Sequence, residues 1–85
     1  RTTAIDWEKP GEQLLVASPH FSARAVIGPW VGDIGVGPHG ATATAIGSAA
    51  VGGVRLGSLA TAHLATGLQS VDLPAGGALL IAEGR

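Results

Sequence analysis

From Leu14 onward, small or aliphatic residues alternate with polar ones in short runs, and Gly or Pro interrupts each run within a few residues. A period of two over four to eight residues, bounded by turn formers, is the pattern of a half-buried strand. It predicts strands at LLVAS (14–18), ARAVIG (23–28), ATATAIG (41–47), VRLGSLATAHLATG (54–67) and GALLIAEG (77–84). Helices are disfavoured, because Gly or Pro recurs throughout the chain from position 28 and each interior Gly costs a helix roughly 1 kcal/mol relative to Ala. Alternate residues of a strand face opposite sides. Ala43, Ala45, Ala62 and Leu64 therefore share one face, and Thr42, Thr44, Thr61 and His63 the other. Arg24 breaks the pattern, since it stands where the next run carries Ala43.

The runs also resemble one another. SPHFSARAVIG (18–28), moved forward by nineteen residues, places Pro19 on Pro38, His20 on His39, Ile27 on Ile46 and Gly28 on Gly47 of GPHGATATAIG (37–47). The same shift carries Thr42 to Thr61, Ala43 to Ala62 and Gly57 to Gly76. The intervening segments PWVGDIGVG (29–37) and SAAVGGVRLG (48–57) correspond once a one-residue slip is allowed. Each unit reads as strand, Gly-rich turn, short strand, turn. An arm over 1–13 precedes one β domain over 14–85, with units near 18–36, 37–56 and 57–75 and a terminal strand over 77–84. The expected class is all-β, either a small β-sandwich or a stacked-strand array built from units of about 19 residues.

Length and composition bear on how such a domain holds together. A chain of 85 residues buries only about 60–65% of its unfolded surface. It is 46% hydrophobic by count, but with one Phe, two Trp, no Tyr and no Met, so Ala carries much of that share. Fourteen Gly add backbone entropy that folding must overcome, and the absence of Cys removes disulfides as a support. Association with partners is the remaining source of stability. The net charge of −1, with no basic run, argues against nucleic acid. The opening RTTAIDWEKPGEQ carries acids where a secretory leader needs basic residues. The uncharged stretch 34–54 is long enough to span a bilayer, but Pro38, His39 and its many Gly make poor membrane helix, so no membrane partner is expected.

Candidate chemistry is sparse. GVGPHG (35–40) fits the spacing of a dinucleotide loop, yet Pro38 and the following ATATAIG place it before a strand, and no acid follows until Asp72. His20, His39 and His63 lack zinc-ligand spacing and read as solvated turn or strand residues, although His20 and His39 occupy equivalent positions. Asp6, Glu8, Glu12, Asp33, Asp72 and Glu83 show no acid/base pairing, and Ser18, Ser22 and Ser48 lack a nucleophile elbow. No catalytic, cofactor or metal residue is assigned. Trp7, Phe21 and Trp30 are the bulky exceptions, expected as buried anchors or inter-subunit contacts, or else as platforms for sugar rings. Together with Ala43, Ala45, Ala62 and Leu64 they form the expected interface set, while Val51 and Val54 add to sheet packing.

The rhythm of 18–66 resembles the Ala/Thr/Val/Pro repeats in minor tail proteins of siphophages that infect actinobacteria. Pro19, Ala23, Ala25, Ile27, Pro29 and Val31 follow the order of those repeats. The next unit keeps Pro38, Ala43, Ala45 and Ile46 but has Ser48 for the second Pro, and the third loses the first Pro as well. The resemblance implies a non-enzymatic structural protein of a phage virion (minor tail, fibre or capsid decoration) that binds copies of itself or other virion proteins. VDLPAGGALLIAEG (71–84) is similar to the last strand of β-sandwich modules that end many glycoside hydrolases. That likeness implies the alternative of a secreted carbohydrate-binding or accessory module.

Overall fold

The computed structural model describes residues 6–84, and within them the chain is all-β, with nine strands in two antiparallel sheets. The strands are β1 (Gly11–Ala17), β2 (Phe21–Ile27), β3 (Trp30–Val36), β4 (Ala41–Ile46), β5 (Ala49–Val51), β6 (Val54–Leu56), β7 (Thr61–Leu64), β8 (Gly67–Leu73) and β9 (Ala78–Gly84). The first sheet runs β1-β2-β9-β4-β7 and the second β3-β8-β5-β6. Stacked turns of a solenoid pair equivalent strands in parallel. Here β9 separates β2 from β4 and every ladder is antiparallel, so the architecture is the sandwich.

The chain passes repeatedly from one sheet to the other and back. Strands β2, β4, β7 and β9 begin at 21, 41, 61 and 78 and all lie in the first sheet. Between them β3, β5 and β8 begin at 30, 49 and 67 and lie in the second. The crossings explain a glycine pair. Gly28 N–H donates to the Gly77 carbonyl at 2.8 Å, and a Cβ on Gly28 would run into the Pro74 carbonyl. Gly47, at φ +74°, would place a Cβ 2.8 Å from the Gly76 carbonyl. Both crossings thus run against the same turn, 74–77, too closely for any side chain.

Strand bounds differ from expectation in several places: β3 and β5 lie outside the five runs read as strands and β8 almost wholly outside them. The run 54–67, read as one strand, is broken at 57–60, because the chain changes sheets there: β6 belongs to the second sheet and β7 to the first. A turn closed by Ala60 N–H to the Gly57 carbonyl makes the break, with Leu59 at φ 66°. At the other end β1 starts at Gly11, where Gly11, Glu12 and Gln13 pair with Ile27, Val26 and Ala25. The arm was expected to reach Gln13; its residues 1–5 lie outside the described ones.

The inward faces make one core from both sheets. Val26, Leu79, Ile81 and Leu64 of the first sheet meet Ile34, Val36, Val51, Leu56, Val71 and Leu73 of the second, with Ala41, Ala43 and Ala45 of β4 filling between. Each aliphatic side chain so buried contributes roughly 1.5–3 kcal/mol.

Candidate functional site

The sequence places an unusual surface on the outside of the first sheet. In a two-layer sandwich the outer face is normally polar. The runs ARAVI of β2 and ALLIA of β9 are instead apolar on both sides apart from Arg24. Paired residues form rows across the outer face. One row reads Val16, Ala23, Ala82, Thr42, His63 and the next Ala25, Leu80, Thr44, Thr61. A third holds Ile27, Ala78 and Ile46. Ala25, Ile27 and Ala78 are buried there under Leu15, Ile46 and Leu80. Beside them Ala82 and Thr42 are exposed, and a depression of about 220 Å³ opens, lined by Leu15, Ala23, Thr42, Thr44, Leu80 and Ala82 among others. Phe21, 47% exposed, stands one row beyond, on the side of the depression away from Leu80. None of these outward residues carries a fixed charge.

The inner face of β2 carries the opposite exception. Arg24 turns inward at the seam between edge strands β1 and β3. Its Nη2 donates to the Gly35 carbonyl of β3 and to Glu83 Oε1 at 3.2 Å, and its Nη1 lies 3.5 Å from Glu12 Oε2. Glu83 Oε2 in turn accepts from Gly37 N–H at 2.7 Å. The Arg24 and Glu83 side chains are 16% and 15% exposed, and Arg24 Nε is buried without a partner. Two strands of one sheet thereby hold the edge strand of the other by charge-assisted hydrogen bonds. A cleft of about 490 Å³ beside them is lined by Glu12, Leu14, Ser22, Arg24, Gly35 and Glu83.

Charge on the outer faces sits with the second sheet. Asp33 faces out beside Ser70, and Asp72 beside Val31 and Ala50, with Arg55 beyond Ala50. A shallow cleft of about 360 Å³ runs over this surface. Val31 and Leu68 stand on it 76% and 74% exposed, at opposite ends of the β3–β8 ladder.

The expected interface residues separate into two groups. Ala43, Ala45 and Leu64 are 0%, 0% and 5% exposed and face the second sheet, so they pack within the chain and are not available to a second one. The alternation that grouped them identified a face correctly, but that face is the core. Ala62 and Trp30 are partly buried against the same core, and the Trp30 ring lies over Gly32. Val51 is buried, whereas Val54 is 61% exposed. Trp7 and Phe21 are the two that reach the surface, Trp7 at 53% exposure. The segment bearing Trp7 is pinned to β1 by Gln13, whose Nε2 donates to the Asp6 and Lys9 carbonyls at 2.8 and 3.0 Å.

Strand directions bring His20, His39 and His63 to one end of the sandwich, in the β1–β2 turn, the β3–β4 turn and near the end of β7. Among the described residues no group of three or more His, Asp or Glu is placed to hold a metal ion. GVGPHG opens β4, closed by Gly40 N–H to the Gly37 carbonyl at 3.0 Å. The outer-face residues Ala23, Leu80 and Ala82 did not stand out in the sequence, although the two-sided apolar runs of β2 and β9 were the available signal. Arg24 did stand out, as the residue that broke the alternation. Comparison with protein-family models, curated proteins and solved structures finds no match to this chain.

Proposed function

We propose that the chain is a non-enzymatic structural module of a phage virion, in a minor tail, fibre or capsid-decoration position, that associates with copies of itself or with other virion proteins. The observation that carries the association is the uncharged, apolar outer face of the β2-β9-β4 region. Apolar residues on both faces of a strand pair are the pattern of a sheet covered on both sides. The virion setting is supported by the rhythm that 18–66 shares with actinobacterial siphophage tail proteins. A protein of this kind presents surface and spacing rather than reacting groups, and its contacts gain strength from being repeated through an assembly.

Two measurements test this. Light scattering behind a sizing column is expected to return a mass above that of one chain at high concentration. Mass spectrometry of purified virions from the source of this sequence is expected to find the chain among their proteins. Its absence from intact particles would refute the virion assignment whatever the mass in solution.

A further inference from the structure

We infer that the partner on the outer face of the first sheet is a second copy of this chain, packed about a two-fold axis, with Phe21 of each copy seated in the depression over Ala23, Ala82 and Thr42 of the other. This rests on the self-association reading above and names its surface.

Charge selects the face. Two identical surfaces meeting about a two-fold bring each residue near its own equivalent or that of a close neighbour. Fixed charges near such an axis meet like charges, at a cost of several kcal/mol. The outer face of the first sheet is free of fixed charge over β2, β9, β4 and β7, whereas the outer face of the second carries Asp33, Asp72 and Arg55. The sheet edges are poor alternatives. β1 is interrupted by a register shift between Leu14 and Val16 and carries Glu12, β7 and β6 have four and three residues, and β3, though seven residues long, carries Asp33 and has its Gly35 carbonyl taken by Arg24. Bulges, charge and shortness are the features that keep edges from pairing.

Shape selects the contact. The row Ala23-Ala82-Thr42 forms a low floor between the Leu80 row and Phe21. A two-fold placed between Phe21 and this floor sets the exposed ring of each copy into the hollow of the other, an aromatic knob in a small-residue hole. With strands about 4.8 Å apart and rows about 6.7 Å apart, the face spans on the order of 400 Å² in projection. A stable dimer uses about 800 Å² per partner. The contact is therefore a weak one, formed at high concentration or where many copies are held together.

The test is sedimentation velocity of the full chain from about 10 µM to about 1 mM, the range suited to an interface below standard size. Wild type is expected to shift from monomer to dimer across it. Ala82→Arg, at an exposed position, is expected to raise the dimer dissociation constant about tenfold or more by setting like charges across the axis. Phe21→Ser is expected to weaken the dimer comparably, and Ser70→Arg on the opposite face to leave it unchanged. Thermal melts check that each variant is folded, and Phe21→Ser carries the test if Ala82→Arg is not. A wild type that stays monomeric throughout, or association that survives both first-sheet variants, overturns the inference. Neither result bears on whether the chain is found in purified virions, which is read separately.

Discussion

Gly28 and Gly47 show how a single residue type can be demanded by neighbours far away in sequence. The first sits where a Cβ would strike the Pro74 carbonyl, and the second, in the left-handed region, where it would meet that of Gly76. Gly53 has a similar backbone, φ +82°, but nothing within 4 Å of a Cβ position. The three separate steric from conformational cost. Gly28→Ala is expected to destabilise the fold by about 2–3 kcal/mol, because carbonyl backbone cannot yield as a side chain can. Gly53→Ala is expected to cost about 1 kcal/mol, for the left-handed conformation alone. Chemical denaturation of the two variants checks the order. If Gly28→Ala is as mild as Gly53→Ala, the packing of turn 74–77 against the crossings is not as described.

At the scale of elements, the Arg24 network ties the two sheets together at one seam, and strand β9 holds the first sheet in one piece. Arg24 reaches β3 through the Gly35 carbonyl, and Glu83 holds the Gly37 N–H just beyond its end. Removing one partner leaves the other as a poorly solvated charge, so Glu83→Ala is expected to cost about 3 kcal/mol. Arg24→Met with Glu83→Ala should cost less than the sum of the single changes, with a coupling of about 1–3 kcal/mol measured by a double-mutant cycle. Additive costs would mean that the pair acts as two independent side chains. Strand β9 comes last of the nine described strands and yet lies in the middle of the first sheet, paired with β2 on one side and β4 on the other. Truncation before Ala78 splits that sheet and removes Leu79 and Ile81 from the core. Such a chain is expected to show no cooperative melt by far-UV circular dichroism, and a sharp transition would show that the remaining strands suffice.

For the whole molecule, the distribution of polarity matters more than its amount. The charges of the described strands lie either in the seam around Arg24 or on the outside of the second sheet, and the outer face of the first sheet is left apolar. The asymmetry is one of charge, since exposed Val31 and Leu68 stand among the carboxylates on the outer face of the second sheet. It also implies a directional response to substitution. New charge at Ala82 should raise solubility while lowering association, whereas new charge at Ser70 should alter neither in proportion. Dynamic light scattering over a concentration series reads that difference. Equal responses on the two faces would mean that association does not depend on which side is exposed.

The strand periodicity and its interruptions are local properties, and they were legible along the chain. Ala43, Ala45 and Leu64 share a face because alternate residues of a strand must, and that part of the pattern needs no neighbour. What no local pattern contains is which strands become neighbours. The break at 57–60 depends on β6 and β7 belonging to different sheets. The use of the Ala43 face as core rather than interface depends on the second sheet lying over it. Ala23 and Ala82 came together on one row because β9 pairs with β2 across some fifty residues of intervening chain, a contact between distant segments that the period of two cannot encode. The sequence by itself determined an all-β chain with alternating faces and tight glycine turns. Tertiary structure alone decided the sheet order, the joining role of Arg24 and which apolar face was left outside, because each depends on non-local pairing.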